Sequence, residues 1–89
     1  RDLETTWHRM SYRAFWSPTA ERELEALLNS SRFQNDLAQA VRDIDLQLVS
    51  APIGFGASRY DEMRIGFSRP LGVEYEVFAD VRTVIVHGV

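Results

Sequence analysis

Cysteine and lysine are both absent from the 89 residues. Without cysteine there are no disulfides, no thiolate chemistry and no zinc site of the cysteine type. The lack of lysine makes all ten basic residues arginine. A preference spread over a whole chain is what a GC-rich genome produces, but arginine is also the side chain best shaped to grip phosphate or carboxylate through two parallel hydrogen bonds. Proline occurs three times and glycine five, and no low-complexity linker or internal repeat interrupts the chain. No apolar run approaches the ~20 residues of a membrane-spanning helix, and nothing resembles a secretory signal, so a cytoplasmic protein is the default expectation. A basic excess is missing too: thirteen Asp and Glu leave a net charge of -3. That argues against nonspecific nucleic-acid binding unless the arginines cluster in space.

What is present suits one small globular domain, with 45% hydrophobic and 26% charged residues. Residues 1–10 (RDLETTWHRM) are polar and without period apart from Trp7, and read as an N-terminal extension to a domain spanning 11–89. The aromatic-rich Ser11 to Trp16 reads as a strand. Ser17-Pro18 is an N-cap followed by proline in the first turn, with Glu21 and Glu23 near the positive end of the helix dipole. Ala20, Leu24, Leu27 and Leu28 then share one helical face. Asn29-Ser30-Ser31 breaks that helix, and Ser31 with Gln34 has capping-box spacing for the next. Phe33, Leu37, Val41, Ile44 and Leu48 continue at helical period to about Val49.

Pro52 closes this helical hairpin, and Ile53 to Ser58 is expected to be a loop. Its glycines follow a helix and lead into a strand, the reverse of a phosphate-binding fingerprint. Three strands are expected afterwards, at about Arg59 to Phe67, Val73 to Phe78 and Thr83 to Val89. Val73, Tyr75 and Val77 alternate with Glu74 and Glu76, the pattern of a strand with one wet face. TVIVHGV is apolar on both faces and predicts a central strand. The expected fold is therefore α+β, in the order β-α-α-β-β-β, with a two-helix hairpin packed on a mainly antiparallel twisted sheet.

Two phrases, YRAFWSPTAERELEAL and MRIGFSRPLGVEYEVFADVRTVIVHGV, taken in that order, resemble the RelE/ParE superfamily of bacterial type II toxins, also known as plasmid stabilisation proteins. The resemblance covers about Tyr12 to Val89. It implies a toxin neutralised by a cognate antitoxin, which either cleaves mRNA on the ribosome without a metal or cofactor or inhibits DNA gyrase. An exposed Trp7, Phe55 or Phe67 would be an anchor for that antitoxin, expected from a neighbouring gene and small and acidic.

Arg64, Ile65 and Gly66 match the superfamily's R-V-G, and Arg69 matches the arginine three residues beyond that glycine. Members carry this arginine three residues before the strand tyrosine. Here Arg69 and Tyr75 are six apart, and the position counted back from Tyr75 holds Gly72. Glu62 stands where many members are basic, and the basic residue that ribonucleases carry beyond the last strand is expected after Val89.

As a metal-independent endoribonuclease the chain would use Arg64 and Arg69 on phosphate and His87 or Tyr60 in proton transfer, with Arg59 and Arg82 as further phosphate-binding candidates. The plainer reading makes Arg64 and Arg82 solvated strand residues paired with Glu62, Glu74 or Glu76, and His87 a hydrogen-bonded histidine among valines. The alternative function is a catalytically inert toxin-fold module that retains only partner binding.

Overall fold

Ser17 decides where the first helix begins. The computed structural model describes residues 11–89, so the expected extension, with Trp7 and His8, lies outside the described residues. Strand β1 (Arg13–Trp16) ends at Ser17, whose Oγ accepts the amide of Ala20 at 3.0 Å, with Pro18 in the first turn of α1 (Pro18–Ser30). That is the N-cap predicted from the sequence.

The second cap is built differently. Ser31 Oγ accepts the amide of Phe33 at 2.9 Å, while the Gln34 side chain donates back to the Leu28 carbonyl at 2.8 Å. The expected capping box is not formed: Phe33 is the N-cap of α2 (Gln34–Ser50) and has no side-chain cap bond. Gln34 instead satisfies a carbonyl left over in the last turn of α1. Phe33, expected on the apolar helix face, is 58% exposed.

Pro52 starts a further turn, α3 (Pro52–Phe55), where a loop was expected. The predicted strand from Arg59 to Phe67 is two strands, β2 (Ala57–Tyr60) and β3 (Met63–Ser68). They reverse at Asp61, which takes a left-handed φ of 47° that Asp tolerates better than most residues. Strand β4 (Leu71–Phe78) begins two residues earlier than its alternation indicated, because Ser68 pairs with Leu71 and only Arg69-Pro70, joined by a cis peptide, make the turn. A 3-10 turn (Ala79–Val81) leads to β5 (Thr83–Gly88).

The five strands lie in the order β1-β5-β4-β3-β2, with β1 and β5 parallel and every other pair antiparallel. The α+β class, the helical hairpin and the mainly antiparallel sheet are as expected, and β5 is indeed interior. Leu37, Ala40, Ile44 and Leu48 of α2 meet Val73, Tyr75, Val77, Val84 and Val86 in one core on one face of the sheet. Full burial of each large aliphatic is worth roughly 1.5–3 kcal/mol. Trp16 joins from β1, donating its indole N–H to Asp45 at 2.7 Å.

Candidate functional site

Strand alternation sorts the candidate residues onto two faces. Ser58, Arg64 and Tyr75 are in register across β2, β3 and β4. Tyr75 is fully buried, so Arg64 points to the helix-covered side. Its Nη2 donates to the carbonyls of Ile53 (2.7 Å) and Gly56 (2.9 Å). Beside it, Tyr75 Oη donates to the Pro52 carbonyl at 2.6 Å. Burial raises the Tyr75 phenol above its ordinary pKa, although the Arg64 guanidinium acts in the opposite sense. Phe55 packs against the Tyr75 ring, centroids 6.0 Å apart, so it is part of the interior packing rather than a free anchor.

On the other face, β4 presents Glu74 and Glu76. Arg59 pairs with Glu74 at 3.4 Å, and His87 Nε2 lies 3.0 Å from Glu76 Oε1. The expected pairing of glutamates with Arg64 and Arg82 is thus replaced by pairing with Arg59 and His87, because β4 alternation turns both carboxylates away from Arg64. Arg59 and His87 share a shallow groove of about 520 Å³ that also involves Ile65, Phe67, Gly72 and Glu74. Phe67, 71% exposed, is the cross-strand partner of Gly72 and its ring lies over that backbone. A Cβ on Gly72 would stand 2.6 Å from the ring. The position where an arginine was sought therefore holds the one residue type that lets Phe67 lie flat.

The remaining candidates are dispersed. Tyr60 is exposed at the end of β2. Arg69 occupies the tip of the β3–β4 hairpin, near Phe33 and Asp36 at the start of α2. Arg82 adopts a left-handed φ of 50° in the turn before β5, its guanidinium 5.9 Å from the Tyr12 ring centroid. Only Arg59 and His87 of the six come together in the groove. Glu74 and Glu76, expected as ion-pair partners of Arg64 or Arg82, are the carboxylates that hold Arg59 and His87 instead. Their signal was the period-two alternation in VEYEV, which puts both on one face. Among the described residues, no group of three His, Cys, Asp or Glu side chains converges as a metal site requires, and no helix is long and apolar enough to cross a membrane.

Compared with known proteins by sequence, the chain matches no family model and no curated protein. By structure, it superposes on a chain of the toxin-antitoxin complex RelBE2 from Mycobacterium tuberculosis with a TM-score of 0.74, covering 89% of this chain and 88% of that one, at 18% identity. The fold is RelE-like. Within the RelE-like fold, the open groove of this chain is lined by paired charges of both signs rather than by a cluster of free cations. Phosphate would meet Arg59 only in competition with Glu74.

Proposed function

We propose that this chain is the toxin component of a bacterial type II toxin–antitoxin pair, held inactive by a cognate antitoxin. One observation carries the reading: a chain taken from a toxin-antitoxin complex shares the fold over nearly the whole length of both partners.

Of the two toxic actions, the groove better supports inhibition by binding, as of DNA gyrase. Cleavage of a phosphodiester builds negative charge on phosphoryl oxygens and calls for unpaired cations. Here Arg59 is engaged by Glu74, Gly72 stands in the arginine position, and Arg64 is turned toward backbone carbonyls.

A second reading, ribosome-dependent mRNA cleavage, is favoured by the 3.0 Å contact between His87 and Glu76. A carboxylate that orients an imidazole equips it for proton transfer. The ribose 2′-oxygen would give its proton to a water molecule and bond to the adjacent phosphorus as the bond from that phosphorus to the 5′-oxygen breaks. The departing 5′-oxygen would take a proton from His87, with Arg59 in the same groove and Tyr60 apart from it at the end of β2. Arg64 would then act by holding the Pro52–Gly56 segment, and Arg69 and Arg82 from the periphery.

Induced expression of the full chain in a bacterial host, beside Arg59→Gln and His87→Gln, separates these readings. Altered plasmid supercoiling without new mRNA 5′ ends is expected. Codon-linked mRNA cleavage that His87→Gln abolishes would transfer the assignment to the ribonuclease. Soluble, folded protein with no effect on growth would leave the inert binding module.

A further inference from the structure

The helices cover one face of the sheet, and among the described residues nothing covers the other. Register places Phe15 beside Ile85, Ile85 beside Glu76, and Glu76 beside Met63. One row further, Glu74 lies beside Ile65, and the exposed ring of Phe67 follows. Apolar side chains from β1, β5 and β3 thus surround two carboxylates of β4. Those side chains are only 33% (Glu74) and 27% (Glu76) exposed. Partly exposed apolar side chains set around carboxylates on an uncovered sheet face offer a partner both apolar contact and charge.

The charge on the face is specific. Glu23 reaches the groove from α1, its carboxylate accepting the amide of Val89 at 3.0 Å. Arg59 compensates Glu74, whereas His87 compensates Glu76 only when protonated. Glu23 and Glu74 against Arg59 leave the groove one charge negative, and Glu76, beside it on His87, adds a second when His87 is neutral.

We propose that this face seats an amphipathic segment of the antitoxin whose apolar side carries a lysine or arginine lying against Glu74 and Glu76; the inference rests on the toxin reading above. The occupant is protein because the apolar residues need an apolar partner and the glutamates repel a phosphate backbone. It is cationic because each glutamate retains acceptor capacity beyond its present neighbour. A second copy fits less well, since a twofold axis through the face would set the same glutamates against each other. The antitoxin as a whole can be acidic, but the seated segment is not.

The test uses the full chain and the protein encoded immediately beside its gene, with affinity measured calorimetrically over a range of salt concentrations. Wild type is expected to bind. The double variant Glu74→Gln/Glu76→Gln is expected to lose at least about tenfold in affinity and to show a flatter salt dependence. Phe67→Ser should weaken binding as well, and Leu46→Ser, exposed on the helical side, should not. These sites are exposed or at the sheet surface, and an unchanged circular dichroism spectrum verifies that the variants fold. Unchanged affinity and salt dependence in the double variant overturns this inference while the toxin reading stands. A wild-type chain that does not bind the neighbouring protein overturns both. A homodimer in ultracentrifugation that Phe67→Ser dissociates assigns the face to a second copy. Single-stranded RNA bound by the wild-type chain and lost in Phe67→Ser assigns it to nucleic acid, and either result overturns the proposal.

Discussion

Arg64 and Tyr75 stand opposite each other on β3 and β4 and direct their polar ends to the same short segment, Pro52 to Gly56. The pair closes the junction between the helical hairpin and the sheet, where three backbone carbonyls would otherwise lack these partners. An arginine that looks catalytic by motif is, in its contacts, a strut.

Replacing Tyr75 by Phe should therefore destabilise the domain by about 1–3 kcal/mol, since the buried Pro52 carbonyl loses its donor. The same variant should alter the alkaline limb. Burial raises the phenol's pKa in the folded chain above 10.0, so the folded state holds the proton after the unfolded state has lost it. The stabilisation is complete below pH 10 and declines as pH rises toward the folded value. Urea midpoints taken between about pH 8 and about pH 11 should fall less steeply for Tyr75→Phe than for wild type.

Arg64→Ala should cost about 1–3 kcal/mol, by leaving the Ile53 and Gly56 carbonyls without their donor. For a domain of this size each kcal/mol lowers Tm by roughly 4–8 °C. A melt lowered in this way would mean that lost toxicity in Arg64→Ala reports on folding, and activity should be compared well below the transition.

Arg59→Gln and His87→Gln should change stability by less than about 1 kcal/mol, because both side chains are partly exposed and surface ion pairs contribute little. Chemical denaturation checks this directly. If it holds, any loss of toxicity in these variants belongs to function.

Gly56 and Gly54 should respond in opposite ways to alanine. A Cβ at Gly56 would stand 2.5 Å from the Ile65 carbonyl and from Tyr75 Oη, whereas at Gly54 nothing lies within 4 Å. Gly56→Ala should cost about 1–3 kcal/mol or more through forced displacement of backbone. Gly54→Ala, within α3, should be neutral or slightly stabilising. Paired urea titrations distinguish them.

Ser17→Ala removes the bond to the Ala20 amide that starts α1. The expected cost is about 1 kcal/mol, with partial return in Ser17→Asp. Thermal melts of the three proteins test it.

Much of this architecture was legible because its causes are local. Ser17-Pro18 is a cap within one turn of the chain, the i, i+4, i+7, i+11 spacing of Leu37, Val41, Ile44 and Leu48 needs only a helix to give it a face, and VEYEV alternates whatever it pairs with. The junction at Pro52–Gly56 was not legible in the same way. Its short helix and early strand are held by Arg64 and Tyr75, eight or more residues further on, and no local pattern announces carbonyls satisfied from that distance.

The candidate site divides along the same line. Residue types alone nominated arginines and a histidine as carriers of phosphate chemistry. Which of them meet depends on register: Arg64 faces inward because it pairs with the buried Tyr75, while Arg59 and His87 face outward beside Glu74 and Glu76. Composition and periodicity were enough for the class of fold and for the residues able to act. Pairing across β2 to β5 decided their neighbours, because a strand side chain's face and charge partner are set by the strand beside it.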